Sequence, residues 1–304
     1  VSVVPFVRRL CAVAAASLMA ASLSAHGQTS VEVERTGGPY VPTPQVIVDR
    51  MLEVGKIGPK DFVIDLGSGD GRIVITAAKR HGASGFGIEI DPELIERSNA
   101  MARKEGVEAR VSFRQFDMFT ADIGKATVLT LYVLPGMMDR LRPKVLRELQ
   151  PGTRIVSHDY HFGDWAPDNR ISFESAEKQA SVGFSTVNLY LWVVPAHAAG
   201  EWKIESGDPA LKGITLQLSQ VFQRLSGQAV TPHGTFDLAD ASLRGREVRF
   251  SFPATAKRDG PRHVFRGRVD GASMQGDLEG PAGKSRNIDW KASRSAAPAE
   301  ALAK

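Results

Sequence analysis

The sequence predicts an α/β protein, a doubly wound parallel sheet followed by a small all-β barrel or sandwich. Strand-like and helix-like runs alternate from Val63 to Asp159, the pattern of a parallel sheet covered by helices. The first strand ends in a turn with three alternate glycines, Gly67-Ser-Gly69-Asp-Gly71, which opens straight into a helix. After Gly200 the periodicity changes to short alternating runs separated by glycine, the signature of antiparallel strands.

Taken in order, Thr43 reads as an N-cap with Pro44 at the first helical position, and Val46, Ile47, Met51 and Leu52 recur at helical spacing up to Gly55. Val63, Ile64 and Leu66 form a short apolar strand that carries Asp65 near its end. The next elements are helix 73–80, strand 85–91, helix 92–105, strand 111–116, strand 126–134, helix 138–149 and strand 153–159. Runs 171–175 and 185–194 then close the unit as a hairpin-like pair, with no clear helix between them. Ligands of such sheets bind beyond the carboxyl ends of the strands.

The glycine turn brings backbone N–H groups within reach of a ligand, because no side chain stands in front of them. Its spacing is selective. The dinucleotide fingerprint needs glycine where this chain has Arg72, and a P-loop needs Gly-Lys-Ser/Thr, which is absent. Glu89 sits near the carboxyl end of the second strand, where a carboxylate can accept two hydrogen bonds from a ribose diol. The third strand delivers Asp117-Met118-Phe119 to the same edge.

The run Asp-Leu-Gly-Ser-Gly-Asp-Gly-Arg resembles motif I of class I S-adenosylmethionine (SAM)-dependent methyltransferases. The resemblance implies a Rossmann-like methyltransferase sheet and SAM as cofactor. Asp65, Gly67, Gly69 and Gly71 would hold the amino acid end of SAM, Glu89 the ribose, and Asp117 and Met118 the adenine. Together with Tyr40-Val-Pro-Thr-Pro before the motif, Leu141-Arg-Pro-Lys-x-x-x-Glu-Leu and a later Trp, the chain is similar to bacterial relatives of mitochondrial protein-lysine methyltransferases. Those enzymes act on ATP synthase and on the adenine nucleotide translocase. The resemblance covers residues 38–195 and implies a protein-lysine N-methyltransferase, although substrate is the least transferable property of a fold.

Candidates on the acceptor side come from the later strand ends. Thr130-Leu-Tyr132-Val-Leu-Pro135 stands where methyltransferases of DNA bases and glutamine amides carry Asn-Pro-Pro-Tyr, so those activities are demoted. Tyr132 lines a methyl-transfer channel or is simply a buried aromatic, and Tyr40 is a substrate-binding candidate on the same terms. Ser157-His158-Asp-Tyr-His161-Phe-Gly-Asp-Trp165 supplies His158 and His161 as candidate general bases and Trp165 as a candidate substrate wall. His-x-x-His on a turn is weak evidence for a metal, and none is expected.

Beyond residue 200 no nucleophile, metal cluster or phosphate loop stands out. Arg244, Arg246, Arg249, Arg262, Arg266 and Arg268 read first as solvated charges on outward strand positions, and second as a face for an acidic partner. The expected organisation is a signal peptide at 1–27, a methyltransferase domain at 28–198, a small antiparallel β accessory domain at 199–294 and a disordered tail at 295–304. Residues 194–200 read as a linker.

Arg8-Arg9, an uncharged apolar run 10–23 and Ala25-His26-Gly27 describe the signal peptide, too short in its apolar part for a comfortable membrane span. A periplasmic or secreted protein is therefore expected, with an uncleaved inner-membrane anchor as the alternative. Loss of residues 1–27 removes Arg8, Arg9 and no acid, so the formal charge falls from +4 to +2. A surface so nearly balanced predicts no nucleic-acid partner. The single cysteine, Cys11, leaves with the leader, which excludes disulfides and thiolate chemistry from the mature chain. Two other functions stay open: a binding protein on a retired methyltransferase fold, and methylation of a small molecule or envelope lipid.

Overall fold

A computed structural model describes residues 38–257, 259–279 and 288–296. The expected leader and residues 297–304 of the expected tail lie outside the described residues. Among the described residues the first sheet has seven strands in the order β3-β2-β1-β4-β5-β7-β6. These are β1 (Phe62–Leu66), β2 (Ser84–Glu89), β3 (Val111–Gln115), β4 (Val128–Leu131), β5 (Arg154–His158), β6 (Asn169–Glu174) and β7 (Thr186–Val193). The first five are mutually parallel, and β7 runs antiparallel to both β5 and β6. The strand order reverses between β1 and β4, so a crevice opens beyond their carboxyl ends.

Among the described residues five helices flank the sheet: α1 (Gln45–Val54), α2 (Arg72–His81), α3 (Pro92–Lys104), α4 (Pro135–Glu148) and α5 (Ala176–Val182). Ile47, Val48, Met51 and Leu52 of α1 and Ile73 and Ala77 of α2 pack on Val63, Val128 and Val156. On the opposite face Met137, Met138, Leu141 and Val145 of α4 cover Ile64, Leu129, Leu131 and Ile155. Apolar helices on both faces explain why β1 and β4 are almost uninterrupted apolar runs rather than alternating ones.

Three expectations change here. Pro44, not Thr43, holds the N-cap position of α1 and makes no side-chain cap. A helix does separate β6 from β7. Ser175 caps α5 by accepting the Lys178 N–H at 3.2 Å, and Gly183 ends it at φ 87°. Seven residues with only one buried side chain, Lys178, leave no apolar period to read. The stretch 194–200 is no free linker either. Ala196, Ala198 and Ala199 are buried, and the Gln220 side chain binds the Ala198 N–H and the Ala196 carbonyl.

The second sheet is antiparallel, with nine strands among the described residues in the order β11-β10-β9-β8-β16-β15-β14-β13-β12. Its strands run from β8 (Gly200–Glu205) to β16 (Ile288–Ala296), the last extending two residues into the stretch expected as a tail. Between them lie β9 (Thr215–Val221), β10 (Arg224–Thr231), β11 (Gly234–Asp237), β12 (Ala239–Arg244), β13 (Glu247–Pro253), β14 (Arg262–Asp270) and β15 (Ser273–Glu279). The sheet curls until β10 meets β12, and the Leu238 N–H donates to the Gly227 carbonyl at 2.9 Å. Trp202, Phe250, Phe252, Phe265 and Trp290 fill this barrel. Alternating runs in the sequence at 213–218, 228–230, 234–238, 247–252, 264–269, 273–278 and 287–292 predict seven of these strands; β8 and β12 are additions. The register of β12 on β13 shifts between Ala239 and Ser242, a bulge-like irregularity.

Candidate active site

The turn after β1 is bent back on β2. Gly67, Gly69 and Gly71 have φ of 76°, 53° and 78°, and the N–H groups of Gly67 and Ser68 both donate to the Ile88 carbonyl at 2.9 Å. Each glycine has a separate reason. A Cβ on Gly71 would lie 2.5 Å from the Phe113 ring, and one on Gly69 would lie 2.4 Å from the Tyr40 ring. A Cβ on Gly67 would stand 3.4 Å from Val133 and 3.6 Å from Met118, filling the gap between the turn and those two side chains.

Acids surround this turn. Asp65 is buried and accepts the Thr130 hydroxyl at 2.7 Å. Burial pushes its pKa up to about 7, the Thr130 bond opposes that, and the charges of Glu89 and Asp70 add to it. Glu89 accepts the N–H of Gly69 at 2.9 Å, of Ile90 at 2.7 Å and of Asp91 at 3.1 Å. A carboxylate has about four lone-pair sites, so Glu89 has one left for a ligand and a second if Gly69 lets go. Asp117 is exposed and accepts the Phe119 N–H at 2.9 Å, an Asx turn that aims Met118 at Gly67.

A strap precedes α1. The Tyr40 hydroxyl lies beside Asp70, and burial first and then the Asp70 charge raise its pKa. The Arg72 guanidinium grips Asp70 with Nε at 2.9 Å and Nη2 at 2.6 Å while Nη1 donates to the Thr43 carbonyl at 2.8 Å. Burial alone would raise the Asp70 pKa, but the Arg72 fork holds it below the ordinary range.

At the ends of β4 and β5 the chemistry is aromatic. Tyr132 stacks on His158 with centroids 4.0 Å apart, and Tyr160 lies parallel to Tyr132 at 6.2 Å. Burial draws the His158 pKa down to about 4 against the opposing charge of Asp159, whose Oδ2 lies 3.5 Å from Nε2; neither ring nitrogen makes a hydrogen bond among the described residues. Burial also pushes Tyr132 up to about 12, helped by the Asp159 charge. Asp159 adopts φ 62°, accepts Lys178 Nζ at 2.5 Å and accepts the Asn188 N–H at 3.1 Å. Lys178 is 1% exposed and donates also to the Thr186 carbonyl.

Comparison with known proteins decides the family. A model described as the ANTKMT methyltransferase domain matches residues 65–169. A protein-lysine N-methyltransferase of Saccharolobus islandicus is 42% identical over 160 residues, 52% of this chain and 95% of that protein. The chain belongs to the ANTKMT methyltransferase family. A Xenopus laevis lysine N-methyltransferase named for its ATP synthase substrate is 34% identical over 43% of this chain, and the match spans 57% of that relative. A solved structure titled as an RNA methyltransferase from Salinibacter ruber with S-adenosyl-L-homocysteine is 47% identical over 52% of this chain and 96% of that one, with a TM-score of 0.47. None of these matches extends over the whole chain.

This methyltransferase uses SAM, and the open side of Gly67, flanked by Met118 and Val133, fits it: a side chain there would occupy the gap. Asp65, Gly67, Gly69, Gly71, Glu89 and Met118 are gathered at one edge, and Asp117 shapes the turn that carries Met118. The acceptor-side expectations need correcting. Trp165 is fully buried, its ring stacked on Phe222, so it walls no opening. Tyr40 lays its ring against Gly69 and stays partly open to solvent. His161 is exposed and edge-on to Tyr190 at 5.7 Å, far in environment from the buried His158, so the two do not converge. His158 takes up no second proton near neutral pH and is a poor base for an ammonium. Sequence reading missed Thr130, Asp70 with Arg72, Tyr160 and the Asp159–Lys178 pair. Asp70 and Arg72 stood inside the motif, whereas nothing local marks Lys178.

Proposed function

We propose that this methyltransferase modifies a lysine side chain of a protein. The observation that carries the reading is the 42% identity, across 95% of its length, to a protein-lysine N-methyltransferase, with the acidic and aromatic strand ends inside the matched half. SAM supplies an electrophilic methyl group on a sulfonium and needs no further activation. The protein's task is to bind, to align and to keep water out. Glu89 would hold the ribose diol through its one free lone-pair site and a second released by the Gly69 N–H. The glycine turn and the carboxyl of Asp65 would hold the amino acid end, whose cationic ammonium would favour the charged form of Asp65. Met118 and the Asp117 turn border the base.

Tyr132 and Tyr160 present aromatic faces suited to a lysine head group. Tyr132, pushed up to about 12, keeps its proton near neutral pH and offers a hydroxyl rather than a base. His158 stays neutral behind it. Desolvation against this wall favours the neutral, nucleophilic form of the acceptor amine, and neither Tyr132 nor His158 is suited to take its proton.

Incubation of the protein with radiolabelled SAM and a cell extract tests the reading. Acid hydrolysis of the labelled protein should release methylated lysine. Label in the lipid or small-molecule fraction instead would reject lysine as acceptor. We also propose that residues 1–27 direct export, on the strength of Arg8-Arg9, the apolar run and the small-residue exit. Fractionation of native cells should then find the chain outside the cytosol; recovery in the cytosol alone would refute it.

A further inference from the structure

The tip of the β9–β10 hairpin leaves the barrel and enters the catalytic half. Phe222 is buried in the core of the first sheet rather than in the barrel. It adopts φ 54°, a strained conformation for a bulky residue, and stacks on Trp165 with centroids 5.7 Å apart and planes 16° apart. Gln223 completes the contact from both ends of its amide. Its Oε1 accepts the Trp165 indole N–H at 2.9 Å, and its Nε2 donates to the Ala166 carbonyl at 2.6 Å. The hairpin is itself fixed from behind, because Gln220 donates to the Phe222 carbonyl at 2.7 Å.

What the tip grips is the segment after β5. Its other supports come from the catalytic half: Trp192 Nε1 donates to the Trp165 carbonyl at 2.9 Å, and Arg142 pairs with Asp164 and donates to the Phe162 carbonyl. That segment begins at Asp159 and carries Tyr160 and His161, so its path sets where Tyr160 stands against Tyr132. From these contacts we propose that Phe222 and Gln223 are positioning residues for methyl transfer: the barrel is the fixed outer support of the acceptor wall, not a separately acting module. The proposal rests on the reading that Tyr132 and Tyr160 border the acceptor. Strain at Phe222 fits it, since a turn free to relax would place no ring on Trp165.

The test uses the full chain with Gln223→Ala, Phe222→Ala and the conservative Phe222→Tyr. Ring resonances of His158 and His161 should move in both alanine variants and return in Phe222→Tyr. SAM affinity by calorimetry should stay within about twofold, because the glycine turn is untouched. Transfer of label to protein lysine in the extract should fall by about tenfold, the consequence of a displaced wall. Unmoved histidine resonances, or SAM affinity falling in step with transfer, would overturn the proposal. If the wild-type chain labels no lysine, the acceptor reading fails, and the resonances and SAM binding still decide whether the hairpin sets the wall.

Discussion

In the barrel, the residues that fill the core are aromatic and aliphatic, with Gln220, Ser251 and His263 the buried polar exceptions among the described residues. The seven-stranded sheet, by contrast, buries Asp65, Asp70 and His158 at its carboxyl edge, and Lys178 beside them. Burying a charge is costly unless it is paired, so charges gathered at one edge mark a site held for chemistry rather than for stability. The same contrast holds between two ion pairs. Lys178–Asp159 has side chains only 2% and 9% exposed, whereas Asp270 of the Arg246–Asp270 pair in the barrel is 81% exposed. An identical formal interaction thus has different weight in the two regions.

The largest effect should come from breaking the buried pair. Lys178→Met leaves the Asp159 carboxylate buried beside His158 without its cation, and should lower folding stability by about 3–5 kcal/mol in denaturant titration. A loss below about 1 kcal/mol would show that water reaches Asp159 easily.

Asp65 makes a pH test of the same contrast. Its carboxyl binds more protons folded than unfolded between pH 3.8 and about 7. Stability of the SAM-free protein should therefore fall as pH rises through that window, by up to about 4 kcal/mol, and level off above it. Asp65→Asn should remove most of this slope, and an unchanged slope would assign it to other groups.

Glu89→Ala removes the acceptor offered to the ribose and also frees the Gly69 N–H. SAM affinity by calorimetry should fall about 100-fold, equivalent to about 2.7 kcal/mol. Undiminished binding would move the ribose elsewhere. The smallest effect is expected at the barrel surface, where Arg246→Ala should change stability by less than about 1 kcal/mol and SAM affinity not at all. A larger stability loss would erase the distinction between the two pairs.

Much of the fold was readable because its causes are local. The glycine turn, the apolar runs of β1 and β4 and the alternation of β14 and β15 each occupy a few consecutive residues. β8 follows a small-residue segment with linker composition, and α5 buries one lysine instead of an apolar stripe, so neither carries a local signal. The cofactor edge was readable for the same reason as the fold: Asp65, Gly67, Gly69, Gly71 and Glu89 stand at strand ends that the pattern itself defines. The acceptor edge was not. Trp165 and His161 are neighbours in one stretch of sequence, yet one turns into the core against Phe222 and the other toward solvent.

By itself the sequence determined a SAM-type cradle, because a ligand that contacts backbone requires glycine and strand-end acids at short, fixed spacing. Tertiary structure alone decided which groups keep or lose their protons, since desolvation of Asp65, His158 and Tyr132 depends on what packs over them. It also decided that Lys178 meets Asp159, 19 residues earlier, and that Gln223 meets Trp165, 58 residues earlier. Contacts at such separations follow from how sheets and hairpins close on one another, and no local pattern encodes them.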